Sequence, residues 1–191
     1  MKKATKEILN IFLLVSFLLF FWREHLFFAR SVFLRDLSTE IIPKRALWAE
    51  NRGFLLWSPY SFFGTPYSAN PQSQGFYPFN FFYLIFGAER GLVYFIFFHH
   101  LIFLVFFYLA LRKLGFSPIA SLLSSLGFGF GGYFLSLTLL VILLSTLSWF
   151  PFLLLILKDA RERSLVKTSF LLAPFLALQL LAGELEIAIL S

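Results

Sequence analysis

Asp36 is the acid best placed to do chemistry. It follows a long apolar run and stands beside Arg35, so near a bilayer surface it could take a proton from a hydroxyl or help hold a metal ion. The plainer reading is a solvated interface carboxylate paired with Arg35. Glu40, four residues on, shares a helix face with Asp36 if a helix begins early. Around these acids lies a basic set, Arg35, Lys44, Arg45 and Arg52. Such groups clamp phosphate oxygens, and anionic lipid headgroups would account for the same residues.

A second constellation follows. Trp57, Tyr60, Phe62, Phe63, Tyr67, Phe76 and Tyr77 are interleaved with Asn70, Gln72 and Gln74. Aromatic faces with amides suit a sugar, whose rings have apolar faces and whose hydroxyls need partners; an interfacial aromatic belt needs only the aromatics. His99 and His100 fall within an apolar run, where polar groups are functional candidates. Adjacent residues point about 100° apart on a helix, so the two do not easily serve one small site, and bonding between helices is the structural alternative. Glu184 and Glu186 near a helix end have the same alternative. No Walker loop, zinc-ligand spacing or nucleophile elbow is present.

The elements that must carry these residues are hydrophobic. Apolar residues make up 59% of the 191 positions and charged ones 14%, against roughly 25% charged in a soluble domain. Mean hydropathy is +0.82, so the chain reads as an all-α integral membrane protein. The absence of cysteine excludes disulfides and thiolate chemistry. The net charge of +6 does not point to nucleic acid, because the bases cluster at the ends of apolar runs, as the positive-inside rule places them.

In order, Lys2, Lys3 and Lys6 precede an apolar run from Ile8 to Trp22, with no small-residue cleavage site after it. We expect an uncleaved first transmembrane helix within residues 1–34, its amino terminus cytoplasmic. An outer loop, 35–90, follows. In it Ser38 or Thr39 could cap an interfacial helix through Trp48, with Ile41, Arg45 and Trp48 on one face and Asn51-Arg52-Gly53 as the stop. The prolines from Pro59 to Pro78 exclude a long regular element there. Phe76 to Phe86 is too short to cross and reads as re-entrant or interfacial. Residues 91–191 supply four more expected spans: 91–111, a hairpin of 117–136 and 137–157 with Pro151 as a kink, and a last run from about Leu165 to Gly183. The chain stops at Ser191 while still hydrophobic, so we expect the amino-terminal portion of a longer protein, with five spans and its carboxyl end outside.

The order Asp36, then WSPYSFFGTPYSANPQSQGFYPFN from Trp57, then His99-His100, LGFGFGGYFLS and WFPFLLLIL resembles the YfhO-like family of bacterial membrane proteins, over roughly Leu34 to Gly183. These are related to GT-C glycosyltransferases. The resemblance implies a GT-C-like polytopic helical bundle in the bacterial cytoplasmic membrane. Its expected activity transfers a sugar from a polyprenyl-phosphate carrier to a glycan, lipid or protein acceptor at the outer face. It makes Asp36 the catalytic base or acceptor-positioning group and sets Arg35, Lys44 and Arg45 against the lipid phosphate. Trp57, Tyr60, Asn70, Gln72 and Tyr77 would shape the substrate pocket. The paired acids of some GT-C enzymes are replaced by Arg35-Asp36, which leaves a divalent cation open, and family members carry many more spans than five. The alternative is a non-catalytic protein, either a flippase of lipid-linked glycans or a truncated pseudo-enzyme.

Overall fold

The computed structural model describes residues 2–28, 30, 36–60 and 63–190, with the backbone alone for 2–4 and 187. The fold is predominantly helical with almost no sheet, as its long Leu-rich stretches favour. Helix α1, Lys2–Phe27, buries one line of side chains, Leu14, Leu18, Trp22 and Leu26. Ile8, Phe12, Phe20 and other large apolar residues remain exposed around it. At about 25 cal/mol per Å² such a face is costly to leave in water. Two helical stretches, Thr5–Phe27 and Pro71–Lys113, are long and apolar enough to cross a membrane.

Helix α2, Ile42–Glu50, is entered through a π-turn, Leu37–Ile41. It starts at Asp36 without a side-chain cap, earlier than the Ser38 or Thr39 cap expected from sequence, and ends at Asn51 as expected. Among its described residues the Pro-rich loop contains only a two-rung hairpin, β1 (Trp57–Ser58) against β2 (Thr65–Pro66), and two 3-10 turns, Pro71–Ser73 and Pro78–Asn80.

Helix α3, Phe81–Lys113, is the centre of the core, against α1, α2, α4, α6 and α7. Gly87, at φ 74°, splits it into a short arm and a long arm. The arms fold together so tightly that a Cβ on Gly91 would stand 2.7 Å from the Phe82 carbonyl oxygen. Stacking of Tyr83 on Phe95 at 5.5 Å and contact of Phe86 with Tyr94 at 4.4 Å close the seam.

After α3 two of the three expected spans are not continuous. The stretch 117–136 becomes α4, Pro118–Gly129, and α5, Gly132–Leu137; the stretch 137–157 becomes α6, Val141–Leu147, and α7, Phe150–Leu157. The first break falls at Gly131, whose backbone is extended and too close to the Gly127 carbonyl for a Cβ. Pro151 sits in the first turn of α7 rather than kinking a longer helix; there its missing N–H costs no hydrogen bond. Helix α8, Leu165–Leu181, is capped by Ser164, and α9, Leu185–Leu190, follows Gly183. Pro118–Gly129, Val141–Leu157 and Leu165–Leu181 are apolar but shorter than the two long stretches.

Candidate functional site

The site is built on the segment from Asp36 to Glu50. Its apolar positions point inward, burying Leu37, Ile41 and Trp48. The adjoining side carries Asp36, Glu40 and Lys44 at successive four-residue steps, with Lys44 donating to Glu40. These three residues form a ridge along adjoining clefts. Asp36 and Glu40 line the first, about 180 Å³, with Gln72 and Glu184. Glu40 and Lys44 line the second, about 670 Å³, with Thr39, Glu50, Ser58 and Tyr60. Lys44 and Ser58 lead into the third, about 330 Å³, with Thr65, Tyr67, Asn70 and Ser73.

Of the substrate residues expected from sequence, Tyr60, Asn70 and Gln72 therefore each reach one cleft. Asn70 also accepts from the Gln72 backbone N–H at 3.0 Å, capping its 3-10 turn. The Gln72 amide donates to Glu184 at 3.4 Å, which ties the loop to the far end of the chain. Trp57 is 56% exposed, and its indole lies so close over Gly64 that a Cβ there would stand 2.6 Å from the ring. Tyr77 is a correction: it is buried away from these clefts. Its hydroxyl oxygen accepts from the Trp149 indole N–H at 2.8 Å and pairs with His99 Nε2 at 2.6 Å.

The basic set divides. Lys44 stays on the ridge, and Arg52 is exposed in the turn after α2. Arg35 lies outside the described residues, as does Phe62. Arg45 departs from the expected phosphate clamp, since only 1% of it is exposed. Its guanidinium donates to the Ser73 carbonyl, the Gln74 side-chain oxygen and, at 3.5 Å, the Tyr67 hydroxyl, and it stands 5.5 Å from the centre of the Tyr83 ring. Tyr67 in turn donates to the Lys44 carbonyl at 3.1 Å. Burial pushes the Tyr67 hydroxyl pKa up, against the opposing pull of Arg45.

Gln74 completes the anchorage. It holds a left-handed backbone, φ 53°, while its amide donates to Ser145 Oγ at 2.8 Å and the Ala182 carbonyl at 2.6 Å. No periodicity in the sequence marks this residue as the keystone between the loop and α6 and α8. Glu184 was equally hard to place beside Asp36, because no local pattern joins positions so far apart.

His99 and His100 serve different neighbours. His99 Nδ1 meets the Phe95 carbonyl at 2.7 Å, so it carries the proton and Nε2 accepts from Tyr77. His100 has the other tautomer: Nδ1 accepts from the Trp22 indole at 3.2 Å and Nε2 donates to the Gly129 carbonyl at 2.9 Å. Each ring is bonded at both nitrogens, joining α3 to the loop and α7 in one case and to α1 and α4 in the other. Among the described residues, no group of three or more His, Asp or Glu is placed to hold one metal ion. Comparisons with protein-family models, curated proteins and solved structures found no match.

Proposed function

We propose that this chain is part of a polytopic membrane glycosyltransferase-like protein of the YfhO-like, GT-C-related kind. In this reading it transfers a sugar from a polyprenyl-phosphate carrier to an acceptor at the outer face of the bacterial cytoplasmic membrane. The observation that carries the reading is the ridge of Asp36, Glu40 and Lys44 along adjoining clefts. From Asp36 to Lys44 is about 12 Å along a helix axis at ~1.5 Å per residue, room for a sugar and its phosphate between a base and a cation. The Asp36 carboxylate takes the proton of the acceptor hydroxyl, whose oxygen attacks the anomeric carbon. The bond from that carbon to the carrier phosphate breaks, and the phosphate leaves with the electron pair, its charge faced by Lys44. Tyr60 and Asn70 offer the ring face and the amide that a sugar needs.

The test uses the full-length protein and a polyprenyl-phosphate sugar labelled in the sugar. Asp36→Asn is expected to abolish transfer with expression unchanged; retained turnover removes Asp36 from the mechanism. Movement of intact donor between leaflets without bond cleavage would instead establish the flippase.

A further inference from the structure

From Asn51 to Ala88 the chain carries a single charged residue, Arg52. A water-facing segment of that length would carry roughly nine at the usual quarter. The segment is nonetheless far from buried. Phe54, Leu56, Trp57, Tyr60, Phe63 and Phe76 are all more than half exposed, Tyr60 at 80% and Phe63 completely. Phe63 also has a positive φ of 64°, uncommon for a bulky residue and a conformation that surrounding structure must impose. The hairpin supplies part of that frame: Trp57 pairs with Pro66 at its base, and the indole lies over Gly64.

This aromatic surface continues into the longest apolar stretch. Gly53 lies beside Leu84, 3.5 Å from its Cδ1 to where a Cβ would be. Leu84, with Phe81, Ile85 and Phe86, is exposed on the short arm of α3, within the Pro71–Lys113 stretch that is apolar enough to cross a membrane. Lipid against that stretch would therefore meet the loop without a break.

We propose that the two arms of the hairpin, residues 57–60 and 63–66, form a membrane-docking finger, with Trp57, Tyr60 and Phe63 seated in the interfacial layer of the bilayer. The occupant is lipid rather than a protein, because charge is nearly absent and the exposed residues are those of an interfacial belt. The depth is shallow: two rungs of sheet leave too many backbone groups unpaired for the hydrocarbon, whereas the interface can satisfy them. Ser58 and Tyr60 line the second cleft, so docking would open that cleft at the lipid surface. The inference rests on the reading that the chain crosses a bilayer, but not on glycosyl transfer.

The chain contains no cysteine, so a single introduced thiol reports one position. Phe63→Cys, Tyr60→Cys, Phe12→Cys on the exposed face of α1, and Arg161→Cys in the exposed 3-10 turn 160–162 would each be made in the full chain. Each would be labelled with an environment-sensitive fluorophore and placed in phosphatidylcholine vesicles. Labels at positions 60 and 63 are expected to be quenched by lipids spin-labelled near the headgroup more than by lipids labelled deep in the chain. They should resist aqueous iodide that quenches the label at 161. The label at 12 should respond to the deep spin labels. Iodide quenching at 60 and 63 without lipid quenching, while the label at 12 responds to lipid, overturns the finger alone. No lipid quenching at 12 overturns the membrane reading and the finger with it.

Discussion

At the scale of single residues, Arg45 and Lys44 show how neighbouring bases acquire different tasks. Lys44 lies on the ridge with its ammonium against Glu40, in a partly exposed pair that costs little to rearrange, so under the proposed function an incoming phosphate would compete for it. Lys44→Ala should raise the KM for the lipid-phosphate donor and leave the unfolding midpoint nearly unchanged, checked by initial rates and thermal unfolding of the same preparation. Arg45 fixes the loop through Ser73, Gln74 and Tyr67. Arg45→Ala leaves those acceptors without their donor in a buried place, a loss of about 3 kcal/mol for a hydrogen-bonded charged group, read as a lower midpoint of unfolding. A normal midpoint with abolished transfer would instead return Arg45 to the phosphate.

At the scale of elements, the fold turns on where helices stop. Gly87 and Gly91 lie a helical turn apart, yet their substitutions should differ. Gly87→Ala meets open space and suffers only from its backbone, φ 74° and ψ 171°, a region that is almost glycine's alone, at a cost of about 2 kcal/mol. Gly91→Ala would bring a methyl group against the backbone at Phe82 and Tyr83, which does not yield as a side chain does, so it should cost more, about 3 kcal/mol. Comparing the unfolding midpoints of the two variants checks the order; equal losses would show that the arms are not packed as described. Sequence pattern found the helices themselves, the shared face of Ile41, Arg45 and Trp48, and the broken Pro-rich loop, since period and proline are local signals; that the shared face is buried came only with tertiary packing. It did not find the break before Phe150, because an apolar run reads the same whether one helix or two short ones bury it. The same limit hid the site's other half. Asp36 stood out beside its apolar run, but Glu184 meets its cleft only through tertiary packing, and Tyr77 read as a surface aromatic until Trp149 and His99 covered it.

At the scale of the whole molecule, α1 and the long arm of α3 run antiparallel, as their polar contacts require. Arg112 holds Glu7 at 2.6 Å near one end, and Arg90 donates to the carbonyls of His25 and Leu26 at 2.7 and 2.9 Å near the other. The Glu7 end also gathers a second clasp, in which Lys113 and Arg163 both donate to Asp159, at 2.6 and 2.7 Å. Hydrogen bonding from Lys113 is the largest of the effects that lower the Asp159 pKa, joined by the charges of Lys113, Arg163 and Lys158. A carboxylate whose folded pKa is depressed adds stability above its unfolded value of about 3.9, and that stability is lost as pH falls through the folded value. The wild-type chain should therefore unfold at a higher temperature than Asp159→Asn near neutrality, with the two midpoints converging as pH drops below the ordinary carboxylate range. The difference should also shrink in high salt, because the group is partly exposed and its ion pairs are screened. A gap independent of both pH and salt would mean that Asp159 holds α3 to the turn after α7 by packing rather than by charge.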